Sequence, residues 1–243
     1  MLNMDWWLIL LIIGIPTAII FLIVIVIFLS KSNHERGDYR DGGGKQFGNS
    51  SQTSFFMPAS DVAGIQGERF TNYHLRPLLR NDEYLLTNLL IPLKNGRTTE
   101  IDSVIISRKG IICIETKNWA GQIYGNDTDE YWDQIYDDPY KANRRPKNPV
   151  IQNERHCSVL DHIFHGHFTV EGAVIFVNDN AEYYVKSPSC YTIIDFKQYY
   201  RRLPETQLTI DEVKQVFEKL KRHLATQEQL DKHKERINKE YNN

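Results

Sequence analysis

Residues 99–121 read TEIDSVIISRKGIICIETKNWAG. Two apolar runs, Thr99 to Ser107 and Ile111 to Thr116, flank Arg108-Lys109-Gly110. The runs are rich in isoleucine and valine, and the tight link between them reads as a hairpin turn. Strands this apolar belong in the middle of a sheet. Side chains alternate along a strand, so Ile111, Cys113, Glu115 and Lys117 share one face. The turn length decides where Asp102 falls. A two-residue turn at Arg108-Lys109 sets Asp102 opposite Glu115, and a turn at Lys109-Gly110 sets it opposite Lys117. In either case the three charges share a face. A three-residue turn sets Asp102 opposite Thr116 and disperses them.

Two carboxylates and an ammonium on apolar strands are costly unless they have partners. One reading is a structural salt bridge at the sheet edge. The other is a divalent-metal site. Asp102 and Glu115 would supply the hard oxygens that hold Mg2+ or Mn2+, and the ion would polarise a phosphoryl oxygen. Lys117 would position the attacking water or stabilise the pentavalent phosphorane.

The flanks extend the pattern. Asp61 to Arg80 predicts a helix with an apolar stripe of Ala63, Phe70, Leu75, Leu78 and Leu79, with Pro77 blurring its end. Tyr84 to Ile91 predicts a strand, followed by the Lys94-Asn95-Gly96 turn. Short strands are expected around Ile123 and Trp132. Pro149 to Phe164 predicts a helix with Asn148 as N-cap and Pro149 in the first turn. Strands at Ala173 to Val177 and Tyr191 to Ile194 follow, then helices at Phe196 to Arg201 and Asp211 to His223. The order predicts an α/β sandwich around one central sheet. The tail from Ala225 carries charge of both signs and is expected as a solvated helix or fraying end.

The arrangement of an Asp, a hairpin and Glu-x-Lys resembles the active site of the restriction-endonuclease-like PD-(D/E)xK nucleases. The wider pattern resembles one branch, the NERD (nuclease-related) domain, over about Ile65 to Val177. Its marks are Gly67-Glu68, Glu100-Ile101-Asp102, Gly110 to Asn118, Gly121-Gln122-Ile123, and Asn148-Pro149-Val150-Ile151-Gln152. The resemblance implies a mixed central sheet flanked by helices. It implies Asp102 and Glu115 as metal ligands and Lys117 as the catalytic lysine. Glu68 would be an additional acid and Gln152 a residue lining the site. Ile101 stands where the broader nuclease pattern has proline.

Residues Trp6 to Leu29 form an apolar run without a charge, WWLILLIIGIPTAIIFLIVIVIFL. At about 1.5 Å per residue a helix of this length crosses a hydrocarbon core of about 30 Å. The run exceeds the apolar stretch of a secretory signal and lacks a basic start and a small-residue cleavage site. Lys31, Arg36, Arg40 and Lys45 follow it, and no Lys or Arg precedes it. The expected topology is therefore a single-pass anchor in the cell membrane, with residues 1–5 outside and the C-terminal body cytoplasmic. Residues 30–60 read as a flexible linker, of r.m.s. span roughly 30 Å. Residues 61–178 would form the nuclease-like core, 179–224 would complete it, and 225–243 would be the charged tail.

The chain has 243 residues and a formal net charge of −2, which argues against a basic nucleic-acid coat protein but permits a local basic groove. Lys141, Arg144, Arg145 and Lys147, near Tyr136 and Tyr140, would grip a phosphate backbone while the tyrosines stack on bases; a solvated loop is the bland alternative. Cys113, Cys157 and Cys190 contain no CxxC pair and read as free thiols in a reducing compartment. His156, His162, His165 and His167 lie close in sequence, with His162 and His165 three residues apart on one helix face, yet no acidic or cysteine spacing supports a metal role. The expected partners are the lipid bilayer, through residues 6–29, and nucleic acid, DNA before RNA. A non-catalytic binding or scaffold module at the membrane is the rival of the Mg2+-dependent nuclease.

Overall fold

The computed structural model describes residues 59–241. The expected membrane span at residues 6–29 and nearly all of the expected linker lie outside the described residues. No helix among the described residues is long and apolar enough to cross a membrane.

Helix α1, Ala59–Leu75, leads through a 3-10 turn at Arg76–Leu78 into β1, Tyr84–Pro92. The helix stops short of the expected Arg80 because Pro77 lacks the N–H that would continue it. Strands β2, Thr98–Ser107, and β3, Gly110–Lys117, form the expected hairpin. Ser107 pairs with Gly110 and Ser103 with Ile114. The turn is therefore the two-residue one at Arg108-Lys109, and its register sets Asp102 opposite Glu115. Gly110 has φ +124°, a backbone state that side-chain-bearing residues rarely adopt.

After β3 come β4, Gly121–Asn126; β5, Asp133–Ile135; α2, Pro149–Phe164; β6, Val170–Phe176; β7, Ala181–Lys186; and β8, Cys190–Thr192. Helices α3, Ile193–Arg202; α4, Ile210–Leu220; and α5, Gln227–Tyr241, complete the described chain. The central sheet has the order β1-β2-β3-β6-β8. It is mixed: β1, β2 and β3 are antiparallel neighbours, while β3, β6 and β8 run parallel.

Alternation along β2 and β3 divides the core into two layers. Val104, Ile106, Ile111 and Cys113 pack with Leu160 and Phe164 of α2 and with Val213, Val216 and Leu220 of α4. Ile105, Ile112 and Ile114 pack on the other side with Leu75 of α1 and with Phe196 and Tyr200 of α3. Asp102, Glu115 and Lys117 have the strand parity of the first set, so they face the α2 side.

The fold departs from the single expected sheet. Strands β5, β4 and β7 form a second, three-stranded sheet, with β4 parallel to β7 and antiparallel to β5. The sequence reading missed β7. Its residues, AEYYVK, alternate between exposed and half-buried and none is fully buried, so the segment carries no hydrophobic run. The tail also differs from a purely solvated element. Helix α5 buries Leu230 and His233 against the domain.

Candidate active site

Helix α2 is held at its start by Asn148. The Asn148 side chain accepts hydrogen bonds from the backbone N–H of Val150, at 2.8 Å, and of Ile151, at 3.4 Å. Its amide donates to the carbonyls of Asn126, Asp127 and Asp129. The cap thus fixes both the helix origin and the loop between β4 and β5. One turn in, the Asn153 amide donates to the carbonyls of Cys113 and Ala173, tying α2 to β3 and β6. Gln152 and His156, four residues apart, lie on one face of this fixed helix.

That face meets the end of β3. Lys117 Nζ lies 2.6 Å from Glu115 Oε1 and donates to Gln152 Oε1 at 3.2 Å. His156 Nδ1 is 3.4 Å from Glu115 Oε2. Asp102 accepts a hydrogen bond from the Thr116 N–H at 2.8 Å. Glu68 arrives from α1, which approaches β3 closely at Gly67. A Cβ on Gly67 would stand 2.8 Å from Asn118 Cβ.

These five residues, Glu68, Asp102, Glu115, Lys117 and Gln152, line one cavity of about 790 Å3. Lys141 and Arg144 border the same cavity. Their loop is pinned to β5, where Gln134 and Arg144 exchange two backbone hydrogen bonds of 2.9 Å. Arg145 points elsewhere and pairs with Asp133 at 3.1 Å. Lys147 is not among the lining residues; its backbone bridges to Tyr131. The basic cluster read from sequence is therefore split by the fold.

The cavity also collects residues that the sequence reading did not place there. His156 belongs to the histidine cluster, but spacing drew attention to His162 and His165, which are exposed and do not line the cavity. The four-residue step from Gln152 was the signal that separates His156 from them. His233 and Lys234 come from α5, far from the motif in sequence, and nothing local marks them.

Electrostatics bind the cluster together. Burial pushes Asp102 well above the usual carboxylate range, and the Glu115 and Glu68 carboxylates add to the effect, against the Lys117 ammonium and the Thr116 N–H. Glu68 is pushed up to about 7 by burial and by Glu100, with Lys234 opposing. Burial alone would raise Glu115, but Lys117 and His156 outweigh it and hold that carboxyl below its ordinary value. Burial would likewise lower Lys117, but Glu115 and Asp102 outweigh it and hold the ammonium above its ordinary value. Lys117 is therefore a fixed positive charge at neutral pH, suited to stabilising negative charge rather than to removing a proton.

The donor set fits a hard divalent cation. Four carboxylates, Glu68, Glu100, Asp102 and Glu115, border the cavity, and buried Glu115 Oε2 has no hydrogen bond among the described residues, only the 3.4 Å approach of His156 Nδ1. Among those residues no three His, Cys, Asp or Glu side chains converge as a preformed metal cage. Mg2+ does not require one, since it is bound through one or two carboxylates together with waters and substrate phosphates.

An uncharacterized protein of Bacillus anthracis is 31% identical over 98 residues, covering 40% of this chain and 45% of that protein. The chain thus spans less than half the length of the curated relative it matches. No solved structure matches. The nuclease-related domain (NERD) family model matches residues 63–177, a span holding the hairpin, α2 and all five clustered residues.

Proposed function

We propose that the chain is a membrane-anchored nuclease of the PD-(D/E)xK type that hydrolyses phosphodiester bonds, DNA before RNA, with Mg2+ or Mn2+. The observation that carries the reading is the hairpin register. It puts Asp102 opposite Glu115 and leaves Lys117 on the same face, 2.6 Å from Glu115 and inside the cavity.

Asp102 and Glu115 would hold the cation, with Glu68 as a further acid, and the bound ion would supply Lewis-acid polarisation of the phosphoryl group. The remaining chemistry belongs to the side chains. Lys117 keeps its proton and offers a charged donor to the oxygens on which charge develops at phosphorus. Gln152 accepts one Lys117 hydrogen bond and Glu115 another, which fixes the ammonium within the cavity. Lys141 and Arg144 supply positive charge for a phosphate backbone at the cavity border.

The charge-free run at residues 6–29, followed by Lys31, Arg36, Arg40 and Lys45, supports an anchor with the domain on the cytoplasmic side. One observation favours the binding-module alternative: Glu115 Oε1 is already engaged by Lys117. Cleavage tests decide between the two. The purified chain is incubated with linear, circular and single-stranded DNA and with RNA, in Mg2+, Mn2+ or chelator. Cutting that needs the cation and falls about 10²–10³-fold in Lys117→Ala supports the nuclease. Folded protein that binds nucleic acid and never cuts it supports the binding module.

A further inference from the structure

The helix that closes the site lies beyond the matched domain. Helix α5 docks on the start of β2, the strand that carries Asp102. His233 Nδ1 and Thr98 Oγ1 are 2.7 Å apart, and Arg236 donates to the same hydroxyl at 2.7 Å. Arg97 and Glu240 pair at 2.8 Å. These polar contacts, together with the buried Leu230, bring Lys234 to the cavity that holds Asp102, Glu115 and Lys117. The nearest acid to Lys234 in an ion pair is Glu100, at 3.9 Å, and 39% of the lysine side chain is exposed. The ammonium is therefore held loosely, at the border of an acidic cavity that also has Lys141 and Arg144 on its rim.

Two aromatic rings stand among these charges. Trp119 and Tyr136 line the cavity. Lys117 Nζ lies 5.5 Å from the Trp119 ring centre and Lys141 Nζ lies 5.6 Å from that of Tyr136. Their faces meet cations at the cavity wall. A paired duplex keeps its bases stacked on one another and offers none to a side-chain ring, whereas unpaired bases stack on aromatics beside a basic track. A cavity of about 790 Å3 is in the size range of pockets that enclose one small organic ligand, which suits a nucleotide or so of one strand.

We propose that this cavity takes an unpaired nucleic-acid strand, with Lys234 of α5 holding one phosphate, Lys141 and Arg144 holding others, and a base against Trp119 or Tyr136. The inference rests on the reading of the site as one that acts on nucleic acid. It assigns the C-terminal helix a share in the substrate site, as a positioning element outside the nuclease-related segment.

The test uses the full chain in detergent and labelled strands of about 20 nucleotides, long enough to cover the site. Single-stranded DNA, single-stranded RNA and a DNA duplex of the same sequence are titrated in Ca2+ at several salt concentrations, then assayed for cutting in Mg2+ and Mn2+. The single strands are expected to bind at least about tenfold tighter than the duplex. Lys234→Gln is expected to weaken them about three- to tenfold and to reduce the slope of log affinity against log salt by about 0.7, the share of one phosphate contact. Lys234→Arg should retain both values. A lysine that merely anchors α5 would leave the salt slope unchanged.

Equal or tighter duplex binding, or a Lys234→Gln chain with unchanged affinity and slope, overturns the proposal. Strand binding through Lys234 without cutting in either metal upholds the strand site and overturns the nuclease reading. Preferential cutting of duplex upholds the nuclease reading and overturns the strand site. The DNA and RNA arms separate the two sources of an unpaired strand.

Discussion

Glu68→Gln tests the electrostatic account of the cavity. The Glu68 carboxyl rises from 4.5 to about 7 on folding, so it binds a proton more tightly in the folded than in the unfolded chain. Its favourable contribution is complete below about pH 4.5 and is lost as the pH rises through about 7. A shift of about 2.5 units corresponds to roughly 3.4 kcal/mol. Partial solvent exposure and screening reduce the usable figure to about 1–2 kcal/mol. Glutamine keeps the shape and removes the ionisation. In chelator near pH 8.5, Glu68→Gln is therefore expected to melt about 2–8 °C above the wild-type chain, and at about pH 4 the two should coincide. Differential scanning fluorimetry of the full chain across pH reads this directly. Added Mg2+ should narrow the gap, because the cation gives the wild-type carboxylate a partner. An offset independent of pH, or a variant less stable than wild type near pH 8.5, refutes the argument that ionised Glu68 is strained by burial and by Glu100.

Other outcomes follow from the geometry. With a dissociation constant of about 1 mM, Mg2+ at about 10 mM should stabilise the wild-type chain by about 1.4 kcal/mol, and Asp102→Asn should abolish that thermal shift. Gly67→Ala forces a Cβ to within 2.8 Å of Asn118 Cβ and should cost about 1–3 kcal/mol by urea unfolding. Gly64→Ala, on the same helix, meets nothing within 4 Å and should raise stability by about 0.5–1 kcal/mol. Asn148→Ala removes the α2 cap and the three amide bonds to the β4–β5 loop. It should cost about 2–4 kcal/mol and lower cleavage by the surviving folded protein, since Gln152 and His156 ride on that helix.

The candidate site was legible because its signals are local. Apolar runs, a tight turn and period-two alternation placed Asp102, Glu115 and Lys117 on one face, and the turn length was the one open variable. Asn148-Pro149 announced α2 through helix-capping chemistry, which depends on neighbouring residues alone. What stayed hidden depends on tertiary placement. Strand β7 sits on the second sheet with a half-exposed pattern, so hydrophobicity gives it no contrast. Helix α5 is mostly polar and docks through Thr98, Arg97 and Glu100, contacts that link residues over 130 positions apart. Arg144 and Arg145 are adjacent in sequence, yet a backbone bridge to Gln134 turns the first toward the cavity and the second toward Asp133. The resemblance stated from the motif reached the domain but not the helix that borders its cavity.

The cavity wall joins an early helix to a late one. Glu68 is translated near the start of the described chain and Lys234 near its end. Synthesis proceeds from the N-terminus at about 5–20 residues per second, so the interval between them is on the order of ten seconds. During that interval the carboxylates of α1, β2 and β3 exist without their α5 border. A nascent chain thus carries the acids of the cavity before it carries the His233 and Lys234 that complete its wall. Late delivery of α5 is a form of temporal control: the cavity is complete only when the last described helix has left the ribosome.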